Sequence, residues 1–336
     1  MRADQMIRFR DAILTRKKAL RLWLDATPAS RRSLALGPCG PEEAEAVMAC
    51  HEAALERLEG GGFGVCRVCQ GEVEAELLEL DFTQDVCLDD LDALRKRGLE
   101  RDLELAAKVQ RHLLPQRVPE VPGVEIAALT RPAEIVGGDY FDFYTCPGGS
   151  LGVAVADVMG KGLSSSLLMS SLQASLRILG PETMALDRLA VRLNDLFRYN
   201  LRVVRFISMV MVRFDPATRG LGYCNAGHNP ALLRRADGSR VWLAPTGPAL
   251  GLTAAGTYRA AEVPVFPGDL LVLYTDGLTE AGTGDGREFG AEGLAGFLDA
   301  HAGEPVEILL AGLREAAERF GGGFRDDVTL VALRFS

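Results

Sequence analysis

The chain has 336 residues, 48% of them hydrophobic and 25% charged, with a formal net charge of −9 at pH 7. This is the composition of a soluble globular protein with room for one large domain and a smaller one, and its acidity opposes broad attraction to nucleic acid or an acidic membrane. The first residues, Met-Arg-Ala-Asp-Gln-Met-Ile-Arg, lack the apolar core of a signal peptide and no apolar run reaches about 18 residues, so a cytoplasmic protein with no membrane association is expected, its seven cysteines serving as thiols or metal ligands.

Residues 1–27 favour a helix, with Met6, Phe9, Ile13, Leu20, Trp23 and Leu24 near helical spacing. Prolines and glycines between Thr27 and Pro41 should break it, and residues 42–59 resume the pattern through Val47, Met48, Leu55 and Leu58 until Gly60-Gly61-Gly62 stops it. Next come Cys66 and Cys69, seventeen intervening residues, then Cys87 and Asp90. These are two ligand knuckles spaced like a structural zinc site, with aspartate in the fourth place. A helical hairpin followed by such knuckles resembles the DksA/TraR-like zinc fingers over about residues 1–95. That resemblance implies bound Zn²⁺; a Cys₃Asp set is chemically sound, and the alternative is a finger held by packing with reduced thiols. The family's acidic hairpin tip, which enters an RNA polymerase channel, has no counterpart in the basic and apolar turn 28–37, and that partner is not carried over.

From residue 88 to 114 the pattern is helical again, with Leu91, Leu94, Leu99, Leu103, Ala106, Val109 and Leu113 as inward positions, and it stops at Pro115. Such a linker either pairs with its copy in a homodimer or packs on its own following domain. Beyond Pro115, short apolar runs read as strands near 124–130, 139–145, 151–157, 206–214, 220–224, 231–235, 258–264, 269–275 and 327–335. Two helices fit between Gly162 and Leu201 and two more between Gly290 and Phe320, which is the grouping of a layered α+β fold.

Four acidic positions stand where these apolar runs meet turns: Asp139 in Val136-Gly137-Gly138-Asp139, Asp157 in Ala156-Asp157-Val158-Met159-Gly160, Asp276 in Thr275-Asp276-Gly277, and Asp326 in Arg325-Asp326-Asp327. Crowded carboxylates raise one another's pKa and cost stability unless a cation joins them. Oxygen donors without nearby His or Cys suit Mg²⁺ or Mn²⁺.

Taken in order with Asn225-Ala226-Gly227-His228-Asn229-Pro230, these motifs resemble the metal-dependent type 2C (PPM) protein phosphatases, in their bacterial SpoIIE/RsbU-like branch, over about residues 100–335. The resemblance implies a four-layer α-β-β-α sandwich of two antiparallel sheets, preceded by the helical hairpin, finger and linker. The domains are then 1–95, a linker helix 88–114, and a phosphatase domain 115–336. It implies two Mn²⁺ or Mg²⁺ ions on Asp139, Asp157, the Val158 backbone carbonyl, Asp276 and Asp326, with Asp327 a secondary candidate. It also implies a phosphoserine or phosphothreonine protein substrate, often an anti-sigma-factor antagonist, attacked directly by metal-bound hydroxide and gated by the N-terminal region. Met159 stands where eukaryotic-type members carry a histidine general acid; metal-bound water or Lys161 could replace it, and His228 reads as a structural turn residue. Arg131 is a candidate phosphate contact or a solvated surface arginine. Two rivals remain: a regulator whose finger binds a transcription component while the second domain senses or scaffolds, and a phosphatase of small phosphoesters.

Overall fold

The computed structural model describes residues 3–26, 41–90, 93–146, 148–160, 162–182, 185–200, 206–253, 257–283 and 286–336. They form two compact units, Met1–Asp102 and Leu103–Ser336.

In the first unit, α1 (Ala3–Ala26) and α2 (Pro41–Glu59) pack on each other, and the short α3 (Ala75–Leu80) lies between the cysteine knuckles. Phe9 and Ile13 of α1, Ala54 of α2, and Phe63, Leu78 and Phe82 share one buried cluster with Cys66 and Cys87, so hairpin and knuckles are built on one core. The expected turn over 27–41 falls almost wholly outside the described residues, as do the side chains of Leu20, Trp23 and Leu24.

The segment 88–114, expected as a linker, contains α4 (Ala93–Leu113), and the division between units falls within that helix. Leu103, Ala106 and Leu113 are half-buried as expected, but Val109 is 53% exposed; the inward stripe runs instead through Ala107 and Gln110. Leu91 and the side chains of Leu94 and Leu99 lie outside the described residues.

The second unit continues with β1 (Val124–Arg131), β2 (Tyr140–Thr145), β3 (Leu151–Val158), α5 (Leu163–Glu182), α6 (Leu186–Asn200), β4 (Ile207–Asp215), β5 (Gly220–Ala226) and β6 (Ala231–Arg234). It ends with β7 (Arg240–Leu243), β8 (Ala261–Pro264), β9 (Leu270–Tyr274), α7 (Asp276–Thr279), α8 (Gly290–His301), α9 (Val306–Gly321) and β10 (Val328–Phe335). One antiparallel sheet has the order β1-β10-β9-β6-β7 and the other β2-β3-β4-β5-β8. This is the expected four-layer α+β sandwich.

Alternation along the strands produces the layers. Val153 and Val155 of β3 face Leu271 and Leu273 of β9 and Val331 and Leu333 of β10 in the core between the sheets. The intervening Ala154 and Ala156 turn outward to Met169, Leu172 and Leu189 of α5 and α6. On the opposite outer face, Leu270, Val272 and Leu330 meet Leu294, Leu298, Leu309 and Leu313 of α8 and α9. Central strands buried on both faces therefore read as continuous apolar runs.

One charged pair fastens the α5 layer to its sheet. The Asp142 carboxylate, 1% exposed, accepts two bonds from Arg177 at 2.6 and 2.8 Å, one from the Tyr140 hydroxyl and one from the Phe143 N–H. Removing the guanidinium strands a buried charge. Arg177→Ala is therefore expected to lower stability by about 3 kcal/mol in urea unfolding, and Asp142→Leu with Arg177→Leu should recover much of that loss.

Candidate active site at the end of the sandwich

Antiparallel pairing brings four strand ends to one end of the sandwich. Tyr140 at the start of β2 pairs with Ala156 near the end of β3, and Tyr274 at the end of β9 pairs with Leu330 near the start of β10. Asp139, Asp157, Asp276 and Asp326 stand at or just beyond those ends, so the topology itself collects them. Contacts across the sheets close the site: the Thr275 hydroxyl donates to Asp139 Oδ2 at 2.7 Å, and the Gly138 N–H donates to Asp327 Oδ2 at 2.6 Å.

Asp157 is the electrostatic centre. Burial, then Asp276, Asp326, Asp327 and Glu280, push its pKa from the ordinary 3.8 up to about 7. Asp139 is raised well above the usual carboxylate range by burial first and then by Asp157 and Asp327, with the Thr275 hydroxyl opposing. Asp327 is raised chiefly by burial, against the backbone N–H groups that it accepts. All three shifts have burial as their first cause, with neighbouring carboxylates adding to it.

The glycines are steric requirements. A Cβ on Gly137 would lie 2.4 Å from Asp327 Oδ2, one on Gly138 2.8 Å from the Val158 carbonyl oxygen, and one on Gly277 2.1 Å from the Asp327 carbonyl oxygen. Backbone thus runs against the Asp327 side chain and brings Gly138 close to the Val158 carbonyl.

Of the residues singled out from sequence, Asp139, Asp157, Asp276, Asp326 and Asp327 come together, with the Val158 carbonyl close by. Asp327 spends both oxygens on backbone, Oδ1 taking the Ala133 N–H at 2.7 Å, and so shapes the loop before Asp139. Arg131 is drawn away: its guanidinium pairs with Glu318 and lies over Phe324. Lys161 falls outside the described residues.

His228 is structural, as its turn position suggested. Its Nε2–H donates to the Tyr274 carbonyl at 3.0 Å, and Nδ1 accepts from the Ser208 hydroxyl at 2.7 Å, joining β9 of one sheet to β4 of the other. Burial holds its pKa down at about 4, so it is neutral there. The Asn225 side chain closes this turn by accepting the His228 N–H and donating to the Leu243 carbonyl.

Three contributors escaped sequence reasoning. Glu280 follows Asp276 by one helical turn, a spacing that could have flagged it. Thr275 binds Asp139 while its Oγ also accepts the Thr329 N–H at 2.9 Å. Gln110 of α4 bonds the backbone of Gly137, and nothing in residue type announces that.

In the first unit, Cys66, Cys69, Cys87 and Asp90 do converge, their donor atoms all within 4.8 Å of one another. Asp90 Oδ2 lies 3.2 Å from both Cys66 Sγ and Cys87 Sγ, and Cys69 and Cys87 Sγ are 3.6 Å apart. Ligands about 2.3 Å from a tetrahedral zinc are separated by about 3.8 Å, so the donor set fits such an ion.

Residues 147–336 match the family described as Stage II sporulation protein E (SpoIIE). The chain belongs to this family. The SiaA-PP2C domain of Pseudomonas aeruginosa has the same fold, with a TM-score of 0.65 at 23% identity over 73% of this chain and 100% of that one. Phosphoserine phosphatase RsbU of Bacillus subtilis is 27% identical over 71% of each chain. Protein IcfG of Synechocystis sp. is 28% identical over 71% of this chain, which spans only 42% of IcfG's length.

A carboxyl that keeps its proton in the folded state, but loses it when unfolded, stabilises at low pH and withdraws that stability as pH rises from about 4 through about 7. Chelator-treated protein is therefore expected to lose thermal stability between about pH 4 and about pH 7. Asp157→Asn should raise the Tm at the upper end by about 3 °C or more; a variant that melts with or below the wild type would contradict the charge crowding.

Proposed function

We propose that the chain is a metal-dependent protein phosphatase acting on phosphoserine or phosphothreonine, with residues 115–336 as its catalytic domain and 88–114 as the linker. The observation that carries this reading is the convergence of Asp139, Asp276, Asp326 and Glu280 on a buried Asp157 whose pKa is pushed up to about 7. An oxygen-only donor set of carboxylates and the Val158 carbonyl suits two Mn²⁺ or Mg²⁺ ions. When bound, such ions neutralise phosphoryl oxygens and lower the pKa of water.

The protein's own groups then have separable tasks. Asp157, on which the charges of Asp276, Asp326, Asp327 and Glu280 all bear, would be one of the carboxylates that hold the ions. Asp139 is held in orientation by the Thr275 hydroxyl. Asp327 is a secondary ligand at most, because its oxygens already hold the loop. His228 does not serve as general acid: both ring nitrogens are committed, and it is neutral down to about pH 4. Arg131 would have to leave Glu318 to meet a substrate phosphate.

The similarity to RsbU, a phosphoserine phosphatase by name, supports phosphoserine as the group attacked; the motif resemblance to the SpoIIE/RsbU-like branch extends this reading to a phosphoprotein in partner switching, with an anti-sigma-factor antagonist as the substrate. In the first unit the Cys66, Cys69, Cys87 and Asp90 cluster would hold Zn²⁺ and brace a regulatory module. A scaffold that only bound a transcription component would have no use for carboxylates crowded at such cost.

Hydrolysis of a phosphoserine peptide is expected to require Mn²⁺ or Mg²⁺, to vanish in EDTA, and to fall more than about 100-fold in Asp276→Asn; a folded protein inactive in every metal, truncated before Arg101 or not, would sink the proposal. Elemental analysis of purified full-length protein should find about one zinc per chain, lost in Cys66→Ser and held less firmly against chelators in Asp90→Ala.

A further inference from the structure

The glycine loop that carries Asp139 is held from its far side by one side chain of α4. Gln110 Nε2 donates to the Gly137 carbonyl at 2.5 Å, and Gln110 Oε1 accepts the Gly137 N–H at 3.0 Å. An amide that satisfies both polar groups of one residue fixes that residue's backbone orientation as well as its position. The Gly137 carbonyl belongs to the same planar peptide unit as the Gly138 N–H, and in a trans peptide the two point in opposite directions. That N–H grips Asp327 Oδ2 at 2.6 Å. The peptide unit 137–138 is therefore clamped between Gln110 on one side and Asp327 on the other, immediately before Asp139.

Glycines without side chains must occupy this stretch, since a Cβ on Gly137 would collide with the Asp327 carboxylate, so the loop depends on bonds from its neighbours to hold it. Two glycines in succession are also the most costly residues to order. Gln110 is positioned for the task by the end of its helix: Leu114 packs against the cores on both faces of the second sheet, and the Gln173 side chain of α5 reaches the Leu113 carbonyl. Beside the clamp lies an open cleft of about 430 Å³, bordered by Gln110, Arg111, Leu114, Ile135 and Asp327, so the amide pair has a face open to water that would compete for it.

We infer that Gln110 is a positioning residue for the metal centre: it sets the orientation of the 137–138 peptide unit, and through it the placement of Asp139 and Asp327, so that the register of α4 governs metal affinity. This rests on the metal-dependent reading above and adds to it the residue through which α4 acts. Groups that orient metal ligands from behind typically govern affinity by about 10-fold to 100-fold. The chemical step, once metal is bound, makes no use of Gln110.

The test is direct titration of Mn²⁺ into the full chain, following free ion by electron paramagnetic resonance, for wild type, Gln110→Met and Gln116→Met, with turnover measured at saturating Mn²⁺. Methionine keeps the volume and helix preference of glutamine and removes both bonds. Gln116 donates to the Arg111 and Leu114 carbonyls at the same helix end without touching the loop, and so reports any merely structural effect. Gln110→Met should weaken Mn²⁺ binding at least about 10-fold, with kcat at saturation within about twofold of wild type, while Gln116→Met binds as wild type does. Should Gln110→Met fail to fold, Gln110→Ala, which removes both bonds without adding charge or bulk, should show the same split. Equal affinity in wild type and the Gln110 variants, or an equal loss in Gln116→Met, overturns the inference alone. A wild-type chain that takes up no Mn²⁺ overturns the metal reading and this inference with it.

Discussion

Mutual repulsion among carboxylates is the constraint on which the second unit is organised. A protein can tolerate Asp157 at a pKa of about 7 only if the surrounding structure is stiff enough to keep its neighbours from moving apart. That stiffness comes from apolar burial below the site. The strands that deliver the aspartates have Val153, Val155, Leu271, Leu273, Val331 and Leu333 packed between the sheets, and helices cover both outer faces. The electrostatic cost at the end of the sandwich is thus set against an apolar core several times larger in extent.

The fastening between the two sheets uses neutral groups. His228 bridges Tyr274 and Ser208 as a neutral imidazole, Thr275 ties Asp139 to the Thr329 backbone, and Asn225 locks the turn between β5 and β6. A cation in any of these places would discharge the carboxylate field internally. Neutral donors and acceptors hold the geometry and leave the field intact for whatever diffuses in.

Much of this was legible in the sequence because the informative residues sit at changes of pattern. An aspartate at the junction of an apolar run and a glycine turn marks a strand end, and four such junctions pointed to one acidic site. The grouping of strands and helices gave a layered α+β fold, and the motif resemblance supplied the two-sheet sandwich. What escaped was short or was read by backbone. β7 is four residues after a polar turn, too brief for alternation to register, and α3 and α7 are little more than single turns. Val109 was placed inward by its apolar character, whereas the inward position belongs to the polar Gln110, whose partner is a glycine backbone. Side chain to backbone pairing leaves no complementary residue elsewhere in the chain, and so no spacing to detect.

The aspartates arrive as two pairs, Asp139 with Asp157 at the adjoining ends of β2 and β3, and Asp276 with Asp326 just beyond the adjoining ends of β9 and β10. Each pair belongs to a different sheet, and the pairs meet only when the sheets lie face to face. A chain with one sheet formed carries two carboxylates still open to solvent, and the full repulsion arises at docking. The electrostatic penalty therefore belongs to the contact between the sheets and to neither sheet alone, and dissolved cations, by screening it, favour the joined sandwich over its separated halves.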